Sequence, residues 1–125
     1  MDYAQFANQL GEFYMDTADE LGAYLDTIAG DPNDPRLLRL GDRIDEITIY
    51  ANRFFELAEN IAFNALAADL QGVRDATGKI RQALKTIPNI DKAIAIAAAV
   101  IELAAAIVTQ NGVSLGAALR AIGSI

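Results

Sequence analysis

The sequence predicts an all-α protein, a helical bundle of four or five helices built on a long antiparallel N-terminal helical hairpin. Two observations carry that expectation. Apolar residues recur at steps of three and four along most of the chain, the spacing that gathers side chains on one face of a helix. Clusters of turn-forming residues then cut the pattern into segments of helix length. Alanine and leucine are abundant, and the β-branched residues fall at helical rather than alternating spacing, which argues against strands.

The first helix runs from Tyr3 to Ile28. Its stripe is Tyr3, Phe6, Leu10, Phe13, Thr17, Leu21, Tyr24 and Ile28, about seven turns of one face. Thr17 is its one non-aromatic polar member. Gly30-Asp31-Pro32-Asn33-Asp34-Pro35 ends it, because two prolines cannot sit inside a helix. Asp34-Pro35 reads as an N-cap followed by proline at the first helical position.

A second helix starts there, with the stripe Leu37, Leu40, Ile44, Ile47, Ala51, Phe54, Ala58, Ile61, Ala65 and Ala68. Beside it run Tyr50, Phe55, Leu57, Phe63, Leu66 and Leu70. A stripe this wide touches more than one neighbour. Gly41 marks a candidate bend, costing about 1 kcal/mol relative to Ala. The next break is expected at Ala76-Thr77-Gly78, followed by a short helix from Lys79 to Thr86 with Ile80, Leu84 and Ile87 inward. Pro88 ends that helix. Asn89 caps a fourth helix, with Asp91 near its positive end, and Asn111-Gly112 stops it after Gln110. Ser114 is expected to cap a last short helix reaching Ile122. The short link between the two N-terminal helices makes them an antiparallel pair, and residues 1–125 are expected to form a single domain.

Composition removes many functions. The 125 residues include no Cys and no His. That excludes thiol chemistry, cysteine zinc sites, His-containing triads and the Glu-x-x-His motif of di-iron bundles. Seventeen acids against ten bases give a net charge of −7, which argues against nucleic acid as a partner because phosphate affinity needs excess Lys and Arg. No glycine pattern forms a phosphate loop, and no cofactor is expected. Met1-Asp2-Tyr3-Ala4 does not resemble a signal peptide, and there is no cysteine to prenylate, so the expected location is the cytoplasm.

Charge is unevenly placed. Residues 1–34 hold eight acids and no base, whereas residues 70–92 hold Arg74, Lys79, Arg81, Lys85 and Lys92 against Asp75 and Asp91. Either the first helix lies beside the third, or the acidic face meets a basic partner. The basic run Arg74, Arg81, Lys85 and Lys92 reads first as a solvated face and second as a site for phosphate or anionic headgroups.

The fourth helix is the least ordinary segment. Residues 93–108 carry one charge, Glu102, and eight alanines. A helix apolar all round is central in a bundle or in a membrane. Sixteen residues rise about 24 Å, less than the hydrocarbon core of about 30 Å, and the alanines favour close packing inside a bundle. Glu102 either faces solvent or, if buried, needs a partner such as Arg120.

Carboxylate pairs are the remaining chemical signal. Glu56 and Glu59 form an E-x-x-E on one face, and Asp42, Asp45 and Glu46 and Asp16, Asp19 and Glu20 form similar groups. Carboxylates on facing helices can hold Mg²⁺. All-α nucleotide pyrophosphohydrolases of the MazG type pair an E-x-x-E with an E-x-x-D on a later helix. Here the downstream acids Asp69, Asp75, Asp91 and Glu102 stand alone, so the chain departs from that pattern.

The leading functional expectation is a non-enzymatic protein–protein interaction module: an adaptor, effector chaperone, immunity or regulatory protein. Asp16, Asp19 and Glu20 are its interface candidates, the partner is another protein with a basic surface, and the long stripes also suit a homo-oligomer. Two alternatives remain. One is a membrane-active helical protein inserting the apolar hairpin 90–122; the other is a Mg²⁺-dependent phosphohydrolase on Glu56 and Glu59. The periodicity itself makes a prediction. Ile47→Asp or Phe54→Asp should abolish cooperative thermal melting, because either puts an unpaired charge in the core; circular dichroism during heating reads the outcome.

Overall fold

The computed structural model describes residues 3–28, 30, 32–58, 70–109 and 111–125. The described residues form five helices: α1 (Tyr3–Thr27), α2 (Pro35–Leu57), α3 (Leu70–Lys85), α4 (Ile90–Thr109) and α5 (Gly112–Gly123). Among the described residues there is no strand, so the protein is an all-α bundle. Among the described residues, neighbouring helices close a ring in the order α1, α2, α4, α5, α3 and back to α1, with a smaller contact between α3 and α4.

Caps set the boundaries. The Asp34 carboxylate accepts a hydrogen bond from the Arg36 backbone N–H at 2.9 Å, which satisfies an orphan donor of α2. That bond, and then the Arg36 guanidinium, hold the Asp34 carboxyl below its usual range. The Asn89 side chain accepts from the Lys92 N–H at 2.9 Å. Asn111 serves two helices. Its N–H closes α4 on the Ala106 carbonyl at 3.1 Å, and its side chain caps α5 by accepting from the Ser114 N–H at 3.0 Å. Ser114, expected as that cap, lies inside the first turn of α5 instead.

Two expected boundaries are corrected. The chain does not break at Ala76-Thr77-Gly78, and Lys79–Thr86 is not a separate helix; α3 is continuous from Leu70 to Lys85. Gly78 faces solvent with nothing near its missing Cβ, so it costs helix propensity but no packing. Val73, Ala76, Ile80 and Leu84 bury the opposite side, and that stripe overrides the local weakness. The second helix, expected to run on toward Ala76, ends at Leu57, where the Ala58 N–H bonds to the Phe54 carbonyl. The expected stripe members Ile61, Phe63, Ala65, Leu66 and Ala68 lie outside the described residues. Gly41 lies within an unbroken α2.

α1 and α2 form the expected antiparallel hairpin. Along it, Gly11 faces Phe55, Tyr14 faces Phe54, and Gly30 faces Leu37, so residue numbers fall on one helix as they rise on the other. The helices approach closely at Gly11, where a Cβ would stand 2.5 Å from the Phe55 ring. α3 lies parallel to α1: Arg74 sits over the Phe6 ring at 5.9 Å and Arg81 over the Phe13 ring at 5.1 Å. On its other side α3 meets α5 through Gly72 and Leu119, and Lys79 donates to the Gly123 carbonyl at 2.6 Å.

The core fills the middle of the ring. Leu21, Leu40, Ile47, Phe54, Ile80, Ile96, Leu103, Ile107, Leu115 and Ile122 are almost completely buried, and together they represent all five helices. Thr17, the polar member of the α1 stripe, is buried and donates to the Phe13 carbonyl at 2.8 Å. Tyr14 lies edge-on to Phe13 and against Phe54. Its hydroxyl crosses the ring to donate to the Val100 carbonyl of α4 at 2.7 Å.

Burial, and then the nearby Tyr50, push the Tyr14 hydroxyl well above its usual pKa. The unfolded chain therefore ionises first as pH rises through about 10. Stability from the neutral, buried hydroxyl is fully present below that pH and is lost above it. Tyr14→Phe should cost about 1–2 kcal/mol at neutral pH. It should also flatten the fall in stability above pH 10, as measured by urea unfolding across an alkaline series.

Candidate partner interface

The periodicity that buries Phe13, Tyr14, Thr17 and Leu21 leaves Glu12, Asp16, Asp19 and Glu20 exposed on the other side of α1. Asp26 extends the exposed acids by two turns, and α1 contains no base. One cation reaches this surface from elsewhere. Arg81 of α3 approaches Asp16 at 3.4 Å, with both side chains about half exposed. Water screens such a pair, which is worth about 0–1 kcal/mol. Among the described residues, no ion pair involves Asp19 or Glu20.

The first reading of the charge asymmetry has a structural counterpart. α3 does lie beside α1, yet its arginines spend themselves largely on rings. Phe6 and Phe13 are seven residues apart, as are Arg74 and Arg81, so the parallel helices bring the pairs into register. Around them lies a shallow groove of about 260 Å³, bordered by Glu12 and Thr77. Since α3 is unbroken, Arg74, Arg81 and Lys85 share one exposed side; Lys92 belongs to the first turn of α4.

The other candidates lie apart. Glu56 is exposed near the end of α2, and Glu59 lies outside the described residues. Asp42 and Asp45 are exposed, while Glu46 pairs with Arg43 at 3.0 Å. Among the described residues, no three acids come together as a metal-binding group. Glu102 is exposed at the rim of a groove of about 340 Å³ between α4 and α5, walled by Ala105, Ala106, Ala117 and Ala118. Arg120 is also exposed, and the two form no ion pair.

No family model, curated protein or solved structure matches the chain significantly.

Sequence reasoning missed one surface. Leu38 is 57% exposed and Ile49 65% exposed on the outside of α2. They stand eleven residues apart, three helical turns, which puts them on one line with Asp42 and Asp45 between them. The signal was present: neither residue belongs to the apolar stripes of its helix.

Arg81 gives a direct test of how the α1–α3 contact is held. A double-mutant cycle with Asp16→Asn and Arg81→Gln, read by urea unfolding, should give a coupling below about 1 kcal/mol. Arg81→Ala should cost more than Asp16→Asn, since it also removes the cation from Phe13.

Proposed function

We propose that the protein is a non-enzymatic interaction module that binds a partner protein carrying a basic surface through the outer side of α1. The observation that supports this reading is the run Glu12, Asp16, Asp19 and Glu20, exposed on a rigid helix that supplies no compensating base. Opposite charge across such an interface raises the association rate and fixes orientation more than it adds affinity. Apolar contact must supply the rest. Leu38 and Ile49, on the adjacent helix of the ring, are exposed side chains of that kind, and the acids between them discourage non-specific association. An adaptor, chaperone or inhibitor works by such occupancy alone and needs no catalytic group.

The test is capture of a partner by the full chain from cells of its native host, repeated with Asp19→Lys/Glu20→Lys. The captured protein should carry a basic surface and be lost on charge reversal or in high salt, while the melting temperature stays unchanged. Capture that ignores the substitution would remove the proposal. So would Mg²⁺-dependent hydrolysis of a nucleotide that disappears in Glu56→Gln.

A further inference from the structure

The groove between α1 and α3 holds charges of both signs that do not meet. Buried Leu10 and Val73 give it an apolar floor, and Gln9, Glu12, Arg74 and Thr77 supply polar groups along it. Arg74 is exposed, lies over the Phe6 ring and, among the described residues, pairs with no carboxylate. Glu12 is exposed in the same groove and likewise pairs with no base. Arg81, which reaches the groove beside Phe13, is already engaged by Asp16. Each end therefore keeps one uncompensated charge. The cation stands at the level of Phe6, and the anion lies six residues further along α1, a rise of about 9 Å. Midway, the register that sets Arg74 on Phe6 and Arg81 on Phe13 places Gln9 opposite Thr77.

We propose that this groove binds a short zwitterionic peptide of dipeptide length, its carboxylate on Arg74 and its ammonium on Glu12. A guanidinium presents paired N–H donors that match a carboxylate, and here no protein acid competes for them. An extended dipeptide spans about 7 Å, and charge-assisted hydrogen bonds of about 3 Å at its ends cover the rest. A single amino acid holds its two charges too close together to reach both. The central amide of the peptide passes between Gln9 and Thr77. The Gln9 side chain can donate and accept. The Thr77 hydroxyl donates to the Arg74 carbonyl at 2.9 Å and keeps its lone pairs for a peptide N–H. Size and charge exclude other ligands. At about 260 Å³ the groove falls below the roughly 300–1,000 Å³ that larger ligands occupy. Glu12 and Asp16 repel a plain anion, while Arg74 and Arg81 repel a plain cation. The proposal does not rest on the partner-protein reading, which is tested at Asp19 and Glu20, so either can fail alone.

The experiment is a nuclear magnetic resonance titration of the full, isotope-labelled chain with alanylalanine. Saturable shifts are expected at the backbone amides of Gln9, Glu12, Arg74 and Thr77, with the rest of the spectrum unmoved. N-acetylation of the peptide removes the ammonium and should weaken binding about tenfold; C-terminal amidation removes the carboxylate and should do the same. Free alanine should bind more weakly than the dipeptide. The variants assign each end. Glu12→Gln should weaken the dipeptide about tenfold and erase the penalty of acetylation, whereas Arg74→Gln should erase the penalty of amidation. A merely structural role for either residue would leave those penalties in place. Both side chains are exposed, so the fold should survive, as the unchanged remainder of the spectrum will show. Absence of saturable shifts with alanylalanine overturns the inference. So does a peptide that binds equally well when acetylated, which would make the groove a plain anion site. Shifts centred away from these four residues overturn it as well.

Discussion

The constraint on which the structure depends is the shelter of α4. With Ala, Ile, Leu and Val around most of its circumference, this helix offers water only the narrow edge of Asp91, Ala95, Glu102 and Thr109. The ring answers by placing α2 and α5 against it, while α1 sends Tyr14 across the interior to the Val100 carbonyl. That bond directs an otherwise apolar contact. A buried hydroxyl without a partner costs about 1–3 kcal/mol, so α1 is fixed in rotation and height relative to α4. Alanine makes the packing close, because small side chains let helix axes approach.

The distribution of charge follows from the same arrangement. Helices that cover α4 need only one apolar side, so their outer sides are free to carry charge, and α1 and α2 carry mostly acid. α3 stands at the junction. Its arginines lie over Phe6 and Phe13, which lets two cations sit against apolar surface without full desolvation. Acid thus gathers on α1 and α2, and the nearest bases are those of α3 beside α1.

Most of the fold was legible because its determinants are local. Asp34 and Asn89 announce helix starts through side chains that satisfy backbone N–H groups, and the α1 and α4 boundaries follow to within a residue or two, whereas Asn111 was legible only as the end of α4 and not as the cap of α5. Ile47 and Phe54, chosen by spacing, are fully buried. The start of α3 was not legible, since Gly78 counts as a breaker only until the packing of Val73, Ala76 and Ile80 is known. Tyr14 was overlooked for a related reason. α1 is wedged between α2 and α3, so its buried side is wider than one stripe, and Phe13 and Tyr14 serve different neighbours. Exposure of Asp16, Asp19 and Glu20 could be read from periodicity; the pairing of Asp16 with Arg81 could not, because it needs α3 laid parallel to α1.

The close approach at Gly11 links two positions that lie far apart in the chain. The hairpin owes its tightness to a hydrogen where every other amino acid has carbon, and the ring of Phe55 fills that vacancy. Residues 11 and 55 are therefore sterically coupled. A methyl at the first position requires a smaller or reoriented ring at the second.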